Sequence, residues 1–161
     1  SYAEAFAKEF AHARDINNLY GEQNVLRYLP VERMVLRLFP GDSNEEAKMI
    51  AFAAQTCHTP LVISFGEDDD RTAALASTGC PLKKEDLKSF YDSLDNYYRI
   101  RTCSSDIPDD FYKEVSAMNM YVATAPPVKN GRVELLHYLK EQSITFEYHR
   151  YGSITEVPPV E

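Results

Sequence analysis

Three cysteines, four histidines and one acidic run are the side chains here whose chemistry could make a reactive site. A nucleophilic thiolate needs a base within hydrogen-bond reach. Cys57 stands beside His58 at the end of a helical pattern, Cys80 lies between Gly79 and Pro81, and Cys103 follows a strand pattern. Adjacency of Cys57 and His58 in sequence does not supply that geometry, and a small half-buried side chain is the plainer reading of all three. His12, His58, His137 and His149 have no metal-ligand spacing. Glu67-Asp68-Asp69-Asp70 lacks the alternating acids and following glycine of a calcium loop, so it reads as a solvated turn. These residues yield no catalytic or metal-binding assignment.

A phosphate cradle would need glycines in the first strand-to-helix turn, so that backbone N–H groups can approach a pyrophosphate. That turn is Phe39-Pro40-Gly41-Asp42-Ser43-Asn44. It has one glycine, a proline without an N–H, and an aspartate that would repel phosphate. No cofactor-binding residue is assigned within the chain.

The elements that would position these groups follow from periodicity. Residues 2–14 read as a helix with Ala3, Phe6, Ala7 and Phe10 on one face. Val25 to Tyr28 is a short strand ending at Pro30. Met34 to Phe39 is almost continuously apolar, as a strand covered on both faces should be. Ser43 and Glu46 suggest a helix start, with Ala47, Ile50, Ala51 and Ala54 facing inward. Pro60 to Phe65 is a strand, residues 66–81 a loop, Lys84 to Leu94 a helix, Tyr98 to Thr102 a strand, Pro108 to Met118 a helix and Met120 to Ala123 a strand. A terminal helix over 131–143 precedes an extended segment, Ile144 to Tyr151. The alternation predicts an α/β, Rossmann-like three-layer domain with a mainly parallel sheet. Residues 1–161 read as a single domain, with 131–152 as terminal helix plus docking strand and 153–161 as a frayed end.

Seventeen basic against 25 acidic residues give a net charge of 17 − 25 = −8, which argues against a nucleic-acid or anionic-membrane partner. An odd number of cysteines suits a reducing, cytoplasmic setting. No apolar run approaches the ~20 residues of a membrane span. The chain starts Ser1-Tyr2, without an initiator Met or the pattern of a signal peptide.

The terminal stretch is dense in side chains with an apolar body and a polar tip. His137, Tyr138, Gln142, Tyr148, His149, Arg150, Tyr151 and Gly152 are the candidate docking residues. Leu135-Leu136-His137-Tyr138-Leu139-Lys140-Glu141-Gln142-Ser143, followed by Tyr148-His149-Arg150-Tyr151-Gly152, resembles the C-terminal signature of the proline utilization A family, which joins proline dehydrogenase to L-glutamate-γ-semialdehyde (pyrroline-carboxylate) dehydrogenase. Gly21-Glu22-Gln23-Asn24-Val25-Leu26-Arg27-Tyr28-Leu29-Pro30 is similar to a Gly-Glu-x-Asn-x-x-Arg-Tyr-x-Pro segment of that family, and Ala125-Pro126-Pro127-Val128 with Gly131-Arg132 is similar to the stretch before its terminal helix.

The resemblance implies the nucleotide-binding fold of aldehyde dehydrogenases and the role of a non-catalytic C-terminal domain that packs on and covers the catalytic part of a bacterial parent oxidoreductase. It implies NAD, and FAD if a proline dehydrogenase part is present, as cofactors of the parent. The implied partners are the rest of that chain and a second subunit. Arg150 would meet carboxylate or carbonyl groups, and Tyr148 and Tyr151 would supply rigid contact area. A free-standing nucleotide-binding module or small enzyme, and a pure oligomerisation module, are the alternative readings.

Overall fold

Ser1 Oγ accepts the Glu4 N–H and starts a short helix, Tyr2–Ala5 (α1), which continues as a π-turn over Phe6–Phe10. The computed structural model describes residues 1–67, 70–150 and 153–154. The first helix is shorter than the 2–14 expected. Asp15 Oδ1 accepts the N–H groups of Asn17 and Asn18, so its side chain builds a local turn in place of a helical one. Arg14–Asp15 (β1) then pairs antiparallel with Glu22–Pro30 (β2), Arg14 opposite Leu26.

Met34–Arg37 (β3) is buried at every position. It leads through a Pro40-Gly41 turn into Asn44–Thr56 (α2), where Ser43 Oγ accepts the Glu46 N–H. Leu61–Phe65 (β4) follows. The segment 66–81 is not wholly loop: Thr72–Leu75 (α3) and a 3₁₀ turn at Ala76–Thr78 lie within it, closed by Gly79 at φ 67°. Leu82–Lys84 (β5) takes Lys84 into a strand, and the next helix, Leu87–Asp92 (α4), begins only where Asp86 Oδ1 can accept the Ser89 N–H at 2.7 Å. Arg99–Arg101 (β6), Asp109–Ala117 (α5) and Tyr121–Ala123 (β7) complete the alternation.

The sheet is parallel throughout, in the order β5-β4-β3-β6-β7. Side chains alternate across it. Met34, Leu36 and Leu38 join Tyr2, Ile50, Ala54, Leu135 and Tyr138 in one core layer, while Val35, Phe39 and Ile100 join Phe90, Phe111 and Val115 in the other. Helices therefore cover both faces, the three-layer arrangement that the alternation predicts.

The last helix, Gly131–Glu134 (α6), runs on as a 3₁₀ turn to Tyr138 and stops there, short of the 143 expected. Its closing carbonyls are taken from outside: Arg99 Nη1 donates to His137 O at 2.7 Å, and Val31 N and Thr59 Oγ1 donate to Tyr138 O at 3.0 and 2.7 Å. Leu139–Glu147 (β8) therefore starts five residues early and pairs antiparallel with β2. His149–Arg150 (β9) and Ser153–Ile154 (β10) pair with each other, so residues 153 and 154 are in a strand, not a frayed end. The expectations for Tyr151, Gly152 and 155–161 lie outside the described residues, as do those for the side chains of His149 and Arg150.

Candidate functional site

The two most specific sequence motifs lie opposite each other. Gly21 to Pro30 supplies β2 and Leu139 to Glu147 supplies β8, in register from Glu22↔Glu147 to Pro30↔Leu139. Nine residues per strand make a ribbon about 30 Å long, at ~3.3 Å per residue. The motif side chains hold this register. Arg27 Nε donates to Gln142 Oε1 at 2.6 Å, Tyr28 OH to Glu141 Oε2 at 3.2 Å and Thr145 Oγ1 to Asn24 Oδ1 at 2.7 Å. At the far end Tyr148 N donates to Gly21 O at 2.9 Å, with Gly21 at φ 92°. Beyond Leu139, β8 alternates between half-buried and exposed residues, and among the described strands it has a neighbour on one side only. Phe146, Leu19 and Tyr20 are exposed apolar groups near that end of the ribbon.

The structure divides the candidate docking residues. Gln142 and Tyr148 are half-buried on the ribbon, and His137 is half-buried at its root. Tyr138 is a correction: its side chain is fully buried and belongs to the core. Its hydroxyl donates to Glu134 Oε1 at 2.8 Å, and Arg101 Nη2 reaches the same oxygen at 3.2 Å. Glu134 Oε2 accepts the Val128 N–H at 2.9 Å, and Tyr2 OH donates to Val128 O at 2.6 Å. Arg101 Nη1 donates to Ala123 O at 3.1 Å and to Ala125 O. This network ties α1, β6, the 123–128 segment and the ribbon root together. Burial first, and then the Glu134 charge, push the Tyr138 hydroxyl pKa well up. Burial first, and then Arg101, lower the His137 pKa. Sequence periodicity could place Arg101 on a strand, but not show that it reaches Glu134.

The β3–α2 turn is held by its own side chains. Asp42 Oδ2 accepts the Phe39 N–H at 2.8 Å, which sets a carboxylate in the turn where a phosphate cradle would need N–H donors. Arg71 donates to Phe39 O at 3.2 Å, to Asn44 Oδ1 at 3.0 Å and to Asp42 O, fixing the turn from its other side. The cysteines are poor nucleophiles here. Burial pushes the Cys57 and Cys103 thiols up to about 12, and that of Cys80 up as well. The Cys57 thiol faces Leu135 O at 3.8 Å, whereas the His58 ring packs against the edge of Phe6 with centroids 5.8 Å apart. Among the described residues no three His, Cys, Asp or Glu side chains are placed to hold a metal ion, and no helix is long and apolar enough to cross a membrane.

Neither a protein-family model nor a curated protein matches the chain. Solved structures do. Proline utilization A from Corynebacterium freiburgense is 27% identical with a TM-score of 0.60, covering 95% of this chain and 13% of that one. Histidinol dehydrogenase from Elizabethkingia anophelis is 10% identical with a TM-score of 0.60, covering 78% of this chain and 33% of that one. An aldehyde dehydrogenase from Bacillus cereus, solved as its NAD+ complex, is 15% identical with a TM-score of 0.56, covering 75% and 27%. The last two likenesses speak to the fold alone. The chain thus has the Rossmann-like α/β fold of these dehydrogenases and is similar, over nearly its whole length, to a segment making up 13% of a proline utilization A chain.

Proposed function

We propose that this chain is a non-catalytic C-terminal domain of a larger, proline-catabolic L-glutamate-γ-semialdehyde dehydrogenase. In this reading it packs on and covers the catalytic part and supports assembly, through the β2–β8 ribbon and the segment that follows it. The observation that carries the reading is the match of 95% of the chain to only 13% of a proline utilization A chain. The engaged β3–α2 turn and the raised thiols support the non-catalytic part of it. NAD, and FAD where a proline dehydrogenase part is present, are then cofactors of the parent's other domains. The parent chain and a second subunit are the partners, in the cytoplasm.

The test is truncation of the full-length protein at Glu147, which removes Tyr148 to Glu161. The reading expects the aldehyde oxidation step with supplied semialdehyde to be retained and the coupled proline-to-glutamate flux to fall. Light scattering on the same protein separates covering from assembly: an unchanged mass with lowered flux means covering, and a lowered mass means assembly. Equal flux and equal mass with and without the segment overturn both.

A further inference from the structure

The carboxyl ends of β3, β4 and β5 open onto a cleft of about 490 Å³ that the ribbon does not use. Ligand sites of α/β sheets lie at this end. Arg37, Phe39 and Gly41 line it from one side, with Gly66, Glu67 and Asp86 from the other. A side chain added at Gly41 or Gly66 would meet no atom within 4 Å, so the space there is open.

The charge pattern of the cleft is specific. Arg37 is only 3% exposed, and its Nη1 donates to Ser64 Oγ at 2.7 Å and to Glu85 O at 3.2 Å. Its guanidinium sits 5.0 Å from the centre of the Phe90 ring. Arg37 Nε is buried and has no hydrogen-bond partner among the described residues. A buried, unmatched donor of this kind is costly unless something accepts from it. Glu85, the buried acid beside it, accepts the Ser64 hydroxyl at Oε1 and faces Lys83 Nζ at 2.7 Å from Oε2. The mouth is opposite in sign to Arg37: Glu67 and Asp86 are exposed carboxylates, and the Ser89 N–H holds the Asp86 pKa low.

A phosphate group would meet two carboxylates on the way in. A simple cation would meet the guanidinium at the bottom. A molecule with its negative end inward and its positive end outward satisfies both, and Phe39, Pro40 and Leu87 offer apolar walls to the part between. We propose that this cleft binds a small zwitterion of the α-amino-acid class, its carboxylate on Arg37 and its ammonium between Glu67 and Asp86. This goes beyond the covering role and does not depend on it.

Amide shifts of the 161-residue chain, titrated with L-leucine, test the proposal, with acetate, methylammonium and ADP as comparison probes. Shifts should cluster at Gly41, Gly66 and Leu87 with a dissociation constant of about 1 mM or below, and acetate and methylammonium should bind at least about tenfold more weakly. Glu67→Gln should weaken L-leucine about fivefold, a step of about 1 kcal/mol. Arg37→Gln should abolish binding. Because that change also opens a buried network, Gly66→Leu, which fills the open space without touching the guanidinium, should abolish binding with the thermal midpoint kept. Three results overturn the proposal: no clustered shifts up to about 10 mM, acetate equal to L-leucine, or ADP binding more tightly at the same amides.

Discussion

Arg101 Nη2 and Glu134 Oε1 form an ion pair at 3.2 Å with their side chains 0% and 1% exposed. One is on the central sheet and the other on the helix that feeds the ribbon. Removing one partner leaves the other charge buried without compensation, which costs about 3–5 kcal/mol. Glu134→Ala should therefore lower the urea midpoint by that free energy with an unchanged slope. Replacing both, as in Arg101→Met with Glu134→Leu, should recover much of the loss, since well-packed apolar substitutes are often neutral or better.

The buried phenol of Tyr138 contributes to the loss of stability at high pH. Its pKa is raised above the ordinary 10.0, first by burial and then by Glu134. Both folded and unfolded chains keep it neutral below pH 10, so its contribution is fully present there. As pH rises past 10 the unfolded chain ionises while the folded one resists, and stability falls until the folded pKa is passed. Tyr138→Phe should flatten thermal midpoint against pH above 10. Near neutrality it should cost about 1–3 kcal/mol, for the lost hydrogen bond to a carboxylate.

Gly131 is required by closeness. A Cβ there would stand 2.6 Å from Ala5 Cβ and 3.3 Å from Tyr2 Cα, the latter a backbone atom that cannot step aside. Gly131→Ala should destabilise by about 1–3 kcal/mol, as overpacking does. Adding Ala5→Gly should restore part of this, leaving the Tyr2 conflict. Chemical denaturation of the two variants beside the unaltered chain checks the order.

The thiols should separate by reactivity. Cys57 and Cys103 are buried with thiols pushed to about 12, whereas Cys80 is half-exposed. Titration with a disulfide reagent near pH 8 should modify Cys80 first, with Cys57 and Cys103 following only as the chain opens. Modification of all three at one rate would contradict the packing described.

The parallel sheet was legible because β3 and β4 are apolar on both sides and because helical and strand periods alternate cleanly. Caps written in single residues, such as Ser43, were legible too. What escaped were elements decided by partners distant in sequence. Val133, Leu135, Leu136 and Leu139 have a helical spacing that carries the expected helix on to Ser143, yet Arg99, Thr59 and Val31 claim the carbonyls of His137 and Tyr138 and hand the rest to β2. The docking assignment of Tyr138 failed for the same reason. An amphipathic side chain satisfies a buried carboxylate as well as a partner surface, and only Glu134 four residues back decides between them. The pairing of the two family-like motifs was invisible as a pairing, although each half was read.

That pairing has a consequence for how the molecule is made. Arg27 and Gln142 are separated by 115 positions. β2 is made well before β8, and its edge toward β8 stays unpaired until that strand is available. Native contacts of such large separation form slowly, and a waiting strand edge is a template for wrong partners. Val25 and Leu26 make that edge apolar, while Glu22 and Arg27 break the run with charge. These charged positions are placed as gatekeepers for that waiting edge.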